Sequence, residues 1–142
     1  MHWLSPLLLA VGVFAGCQDL TGTWRNTKGS TLHLEQIKHH LHGTFRTMVE
    51  ISQGSAGIGA QHIRGWAKDD MLSYAVKYSS SMVVFTGQCY EKKGNDTIHL
   101  SWLLHTKQEE CDDHWLATRV GQDKFTRVKS KEELWTDRSG DM

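Results

Sequence analysis

Apolar and polar residues alternate along most of this chain. Over residues 97–105, Ile98, Leu100, Trp102 and Leu104 share one face, while His99, Ser101 and His105 take the other. Leu72, Tyr74, Val76 and Tyr78 alternate with Ser73, Ala75 and Lys77. Phe45, Thr47, Val49 and Ile51 oppose Arg46 and Glu50, and Leu32 and Leu34 alternate with His33 and Glu35. A period of two sends successive side chains to opposite faces of a strand, so these runs predict half-buried strands. Turn-forming residues separate them at Thr27-Lys28-Gly29 and over 53–59, 68–70 and 92–96. The pattern predicts strands over about 20–26, 29–36, 41–50, 61–67, 71–78, 82–91, 96–105 and 114–127, the last broken near Gly121. Such a succession is all-β. It suits an eight-stranded antiparallel up-and-down β-barrel, in which closure removes the exposed edges and the interior can hold one small ligand.

The strongly apolar run at residues 4–15 stands outside this pattern. It is too short for a bilayer span and is followed by small residues, so residues 1–16 read as a secretory signal peptide. Ala15-Gly16-Cys17 also resembles a lipobox, but Phe14 fits that pattern poorly. Residues 17–128 are then one barrel domain, and 129–142 a polar tail of mixed charge in which Trp135 has no assigned role. The chain's 142 residues favour a single domain with a sizeable core. Lys+Arg 16 balances Asp+Glu 16 and no basic stripe appears, which argues against nucleic acid as a partner. No membrane partner is indicated. In an oxidising compartment two of Cys17, Cys89 and Cys111 should pair. Asn95-Asp96-Thr97 is a glycosylation sequon placed in a hairpin loop.

Four segments resemble the avidin/streptavidin family of secreted biotin-binding barrels: DLTGTWRNTKGST (residues 19–31), FTGQC (85–89), SWLL (101–104) and WLATRVGQDKFTRV (115–128). Their order and spacing match along most of the expected mature chain. The resemblance implies a Cys17–Cys89 disulfide, whose loop closure is worth roughly 2–4 kcal/mol. Cys111 is then left as a free thiol or an intermolecular bridge, the free thiol being the more cautious reading.

The same resemblance supplies candidate ligand contacts. Asn26 and Ser30 stand where the family hydrogen-bonds the ureido oxygen of biotin, and Asp123 and Thr47 where it engages the two ureido N–H groups. A carbonyl accepts and N–H groups donate, so amide, hydroxyl and carboxylate are the matching chemical types, the carboxylate bond being charge-assisted. Phe85 and Trp102 match aromatic walls, with Leu104 beside them. Trp115 matches a tryptophan lent to a neighbouring subunit, which implies a homotetramer. Tyr78 takes the place of a further family tryptophan if the preceding loop is two residues shorter, and Ser79 and Ser81 offer hydroxyls to the valerate carboxylate. Phe45 departs from the family, which has a tyrosine there. Losing that donor should cost about 1–3 kcal/mol, roughly ten- to a hundredfold in affinity. Val83 replaces a threonine near the ligand sulfur, a minor loss. Tyr74, Gly22 and Trp24 read as structural, and the stretch 53–59 as a flap over the mouth.

Other readings were weighed on the residues. His39, His40 and His42 cluster, and Cys111 and His114 have ligand-like spacing, but no second spaced pair or catalytic ordering accompanies them. Neither enzyme chemistry nor a metal is expected. Gly22-x-Trp24 also opens lipocalins, carriers of apolar ligands, yet those are usually longer and append a helix. An avidin-like or lipocalin-like barrel that has lost biotin and carries another small apolar ligand is the alternative. The expectation is a secreted protein that binds biotin non-covalently and sequesters it.

Overall fold

The computed structural model describes residues 16–47 and 59–129. Eight strands follow one another: β1 (Gly22–Asn26), β2 (Thr31–Ile37), β3 (His40–Arg46), β4 (Gln61–Lys68), β5 (Met71–Lys77), β6 (Ser81–Lys92), β7 (Asn95–Thr106) and β8 (Thr118–Arg127). Each pairs antiparallel with the next, and β8 returns to β1, so the sheet closes into an up-and-down barrel. The alternation read from the sequence is what fills it. Leu32 and Leu34, Leu72, Tyr74 and Val76, and Ile98 and Leu100 all point into one buried core with Trp24, Ile63 and Phe125.

Local chemistry sets the turns. The β4–β5 and β6–β7 hairpins have two-residue loops, Asp69-Asp70 and Lys93-Gly94, with every φ positive (52°, 69°, 53° and 80°). Such loops match the right-handed strand twist, and Asp and Gly are residues that tolerate this region. The 92–96 turn is therefore tighter than its composition suggested, and Asn95 is already the exposed first residue of β7.

The far end of the sequence departs from expectation. Residues 114–117 are not strand: Cys111–Leu116 form a 3-10 turn, and β8 starts only at Thr118. Nor is β8 broken at Gly121, since its pairing with β7 runs without interruption from Thr118 to Thr126. The predicted extension of β3 to residue 50, with Val49 and Ile51, lies outside the described residues. So do most of the 53–59 stretch, the apolar run at 4–15 and the tail from 130.

One end of the barrel is closed by the N-terminal segment. The Cys17–Cys89 disulfide ties it to β6, with Cα atoms 5.6 Å apart and 72 residues between them in sequence. Cys111 is a free, exposed thiol. Arg127, on β8, gathers the same segment: Nη1 donates to the Thr21 carbonyl at 2.7 Å, and Nη2 to the Gly16 and Asp19 carbonyls at 2.9 and 2.8 Å. Its Nε donates to Asp96 at 2.9 Å. The guanidinium lies 4.3 Å from the ring centroid of Trp24, a cation–π geometry. Only 12% of the Arg127 side chain and 11% of the Asp96 side chain are exposed, so this pair is poorly screened by water. Truncating one partner of a buried pair strands the other charge, at about 3–5 kcal/mol. Arg127→Met should therefore lose about that much in a urea unfolding titration, while Lys124→Met, on the exposed face of β8, should be near neutral. Equal effects would remove the special weight given to Arg127.

Candidate functional site

Antiparallel order places the connections after β1, β3, β5 and β7 at one end of the barrel, opposite the disulfide. The first of these builds a polar corner. Asn26 ends β1, and its Oδ1 accepts from the backbone N–H groups of Lys28 and Ser30 at 3.0 and 2.8 Å. This is the local side-chain-to-backbone bonding that makes Asn a turn residue. Because Oδ1 is engaged by the turn, the side-chain nitrogen is oriented away from it. Nδ2 lies 3.1 and 3.0 Å from the two carboxylate oxygens of Asp123, on β8. The amide nitrogen carries two hydrogens, and both Asp123 oxygens are within hydrogen-bond distance of it. Asn26 and Ser30 are both buried, at 8% and 2% exposure.

Aromatic rings line the space beside this corner. Phe45 meets Phe85 at 5.6 Å between centroids and Phe125 at 6.2 Å, while Tyr74 stacks on Phe85 at 4.8 Å with planes 19° apart. Cross-strand register continues the row: Tyr74 faces Phe85, Phe85 faces Trp102, and Trp102 faces Gly121. A Cβ added at Gly121 would run into the Trp102 indole, so this glycine makes room for the ring. Trp102, Leu104 and Tyr78 are partly buried and pack on the core below. The arrangement is an apolar box with a few fixed polar groups at one side, the usual make-up of a small-molecule pocket.

The Avidin family model matches residues 14–128. Avidin-related protein 1 of Gallus gallus is 34% identical over 149 aligned positions, which cover 94% of this chain and 99% of that protein. Avidin of Gallus gallus is 32% identical over 151 positions, with the same coverage. Among solved structures, Xenavidin superposes with a TM-score of 0.70 at 34% identity, covering 77% of this chain and 97% of that one. A structure described as a biotin binding protein from chicken gives 0.71 at 28% identity, covering 80% and 100%. The chain belongs to the avidin family.

Eight of the expected residues come together. Asn26, Ser30 and Asp123 form the polar corner, and Phe45, Phe85, Trp102, Leu104 and Tyr78 border the same interior. Thr47 follows the end of β3 and is half-buried. Ser79 is exposed in the β5–β6 turn, where the Tyr78 N–H donates to the Ser81 carbonyl at 2.8 Å, and Ser81 is half-buried. Trp115 is apart from all of them, 77% exposed on the 3-10 turn before β8. His39 and His40 sit at the opposite end, in and just after the β2–β3 turn. Among the described residues, no group of three or more His, Cys, Asp or Glu is placed to hold a metal ion.

Sequence reasoning missed Gly121 and Phe125 as parts of this box and gave Tyr74 a packing role alone. Alternation could have found Phe125, the next inward position beyond Asp123. Nothing local signals that Gly121 must yield space to a ring on another strand.

Burial holds both inward phenols neutral. It pushes Tyr78 up to about 12 and raises Tyr74 well above the ordinary value, with charge at Asp123 and Tyr78 adding to the latter. In the unfolded chain both ionise near pH 10. A raised folded value means stability that is complete below pH 10 and is lost as pH rises toward 12 and beyond. Base-induced unfolding should therefore accompany the ultraviolet signal of phenolate formation. Two phenols titrating near pH 10 in an intact barrel would contradict their burial.

Proposed function

We propose that this protein is a secreted, non-covalent biotin binder that sequesters biotin and performs no chemistry. The observation that carries the reading is the Asn26–Asp123 pair, held at 3.0–3.1 Å beside an aromatic box. A cyclic urea has one acceptor oxygen flanked by two N–H donors. By chemical type the Asn26 amide N–H and the Ser30 hydroxyl suit the oxygen, while the Asp123 carboxylate and the Thr47 hydroxyl suit the N–H groups. A carboxylate acceptor polarises the urea and strengthens every bond to it. Phe85, Trp102, Tyr78 and Leu104 close on the bicyclic rings, and Ser79 and Ser81 at the mouth meet the carboxylate end. One of the structural relatives is described as a biotin binding protein, which supports the same ligand.

The reading extends to assembly. Val84, Leu103 and Val120 stand side by side on the outer face of β6, β7 and β8, exposed at 43%, 45% and 71%. Further copies covering this face would build a homotetramer in which Trp115 crosses to a neighbour's pocket. Residues 1–16 act as the signal peptide in this reading, and Asn95, exposed at its hairpin, carries the glycan. The absence of a hydroxyl at Phe45 favours one rival, a barrel of the same fold serving a different small apolar ligand.

Calorimetric titration of residues 17–142 with biotin should saturate near one biotin per chain at nanomolar or tighter affinity. No heat at high micromolar biotin would leave the rival standing. Asp123→Ala should weaken binding about ten- to a hundredfold, whereas Asp123→Asn, which keeps an acceptor, should lose less. Trp115→Ala should weaken both biotin binding and assembly, as followed by sedimentation. A full-affinity monomer would sink the shared pocket.

A further inference from the structure

Tyr74 carries a hydroxyl that the fold does not use. β5 turns it inward between Leu72 and Val76, and the residue is 2% exposed. Its ring is well housed, stacked on Phe85. Its Oη, however, is the one buried side-chain polar atom among the described residues that has no hydrogen-bond partner. A phenylalanine would give the same stacking without leaving a donor unsatisfied, which is costly in a low-dielectric interior. The phenol is therefore a net cost to the empty barrel, and its compensation has to come from something that enters the barrel.

Position suggests what that is. Tyr74, Phe85, Trp102 and Gly121 form one cross-strand row, and Asp123 is the next inward residue on β8 after Gly121. Tyr74 is thus buried in the interior that these residues line, and burial, with charge at Asp123 adding, raises its pKa. Phe45, which stands where the resemblance implies a tyrosine, also meets the Phe85 ring, with centroids 5.6 Å apart against 4.8 Å for Tyr74. The donor absent from β3 is thus present on β5, one ring removed in a single aromatic cluster.

We propose that Tyr74 replaces the phenol that Phe45 lacks, its Oη donating a hydrogen bond to the carbonyl oxygen of the ligand's cyclic urea. This rests on the biotin reading above. Held neutral, the phenol remains a donor throughout the physiological range. It makes the site selective for a head group that offers an acceptor oxygen beside the N–H held by Asp123.

The test uses Tyr74→Phe, Phe45→Tyr and the double variant, with biotin affinity and the melting temperature of the ligand-free protein both measured. Tyr74→Phe should weaken biotin ten- to a hundredfold while leaving the ligand-free melting temperature unchanged or higher. Phe45→Tyr should improve affinity more in the Tyr74→Phe background than in the natural protein, because two phenols would serve one oxygen. Equal biotin affinity for the natural protein and Tyr74→Phe would overturn the role of Tyr74 and leave the biotin site standing. A lowered melting temperature with Tyr74→Phe would make the hydroxyl structural and overturn the proposal. So would the absence of extra rescue by Phe45→Tyr. Failure of the natural protein to bind biotin would remove the site reading and this inference together.

Discussion

Everything in this barrel depends on the seam where β8 meets β1. It is a short ladder, with only Trp24, Arg25 and Asn26 registered against Arg127, Thr126 and Phe125. An open sheet would leave two unpaired edges and a half-covered core, so closure is what makes the other seven pairings into a vessel. Side chains flank the seam at each end. Arg127 binds the N-terminal segment and lies over Trp24 at one end, and Asn26 meets Asp123 at the other. The contact that completes the fold thereby also assembles the polar corner of the pocket.

The interior divides its labour between packing and recognition. Below, Trp24, Leu32 and Ile98 are fully buried and simply fill space. Above, Tyr74, Phe45, Phe85 and Trp102 form walls whose polar neighbours are fixed before any ligand arrives. Asn26 is oriented by its own turn, and Asp123 by Asn26. Groups positioned in advance lose little freedom on binding, so more of the interaction energy is realised as affinity. The Tyr74 hydroxyl stands apart from that arrangement, since it is buried without a hydrogen-bond partner among the described residues.

The outer surface follows a different rule. Val84, Leu103 and Val120 form an apolar strip across three neighbouring strands, which a barrel needs neither for closure nor for its core. Contiguous exposed apolar area is uncommon on a protein that remains alone. Trp115 and Leu116 protrude from the adjoining 3-10 turn in the same unpartnered way. Together they make the outside of β6–β8 the exposed apolar side of the barrel's last three strands.

Much of this could be read from the chain. Alternation of the Leu72-Tyr74-Val76 kind is a local property, because a strand's two faces are set by backbone geometry alone. Turn residues such as Asn26 and the Lys93-Gly94 loop likewise act within a few positions, and so the strands and their order were legible. The 3-10 turn over Cys111–Leu116 was not, since its apolar residues mimic a strand start. Sequence also could not show that Asn26 donates to Asp123, 97 residues away, that Gly121 yields to Trp102, or that the Tyr74 hydroxyl goes unpaired. Those facts depend on register and closure. A local pattern determines which way a side chain points, but only the assembled barrel decides what it meets there.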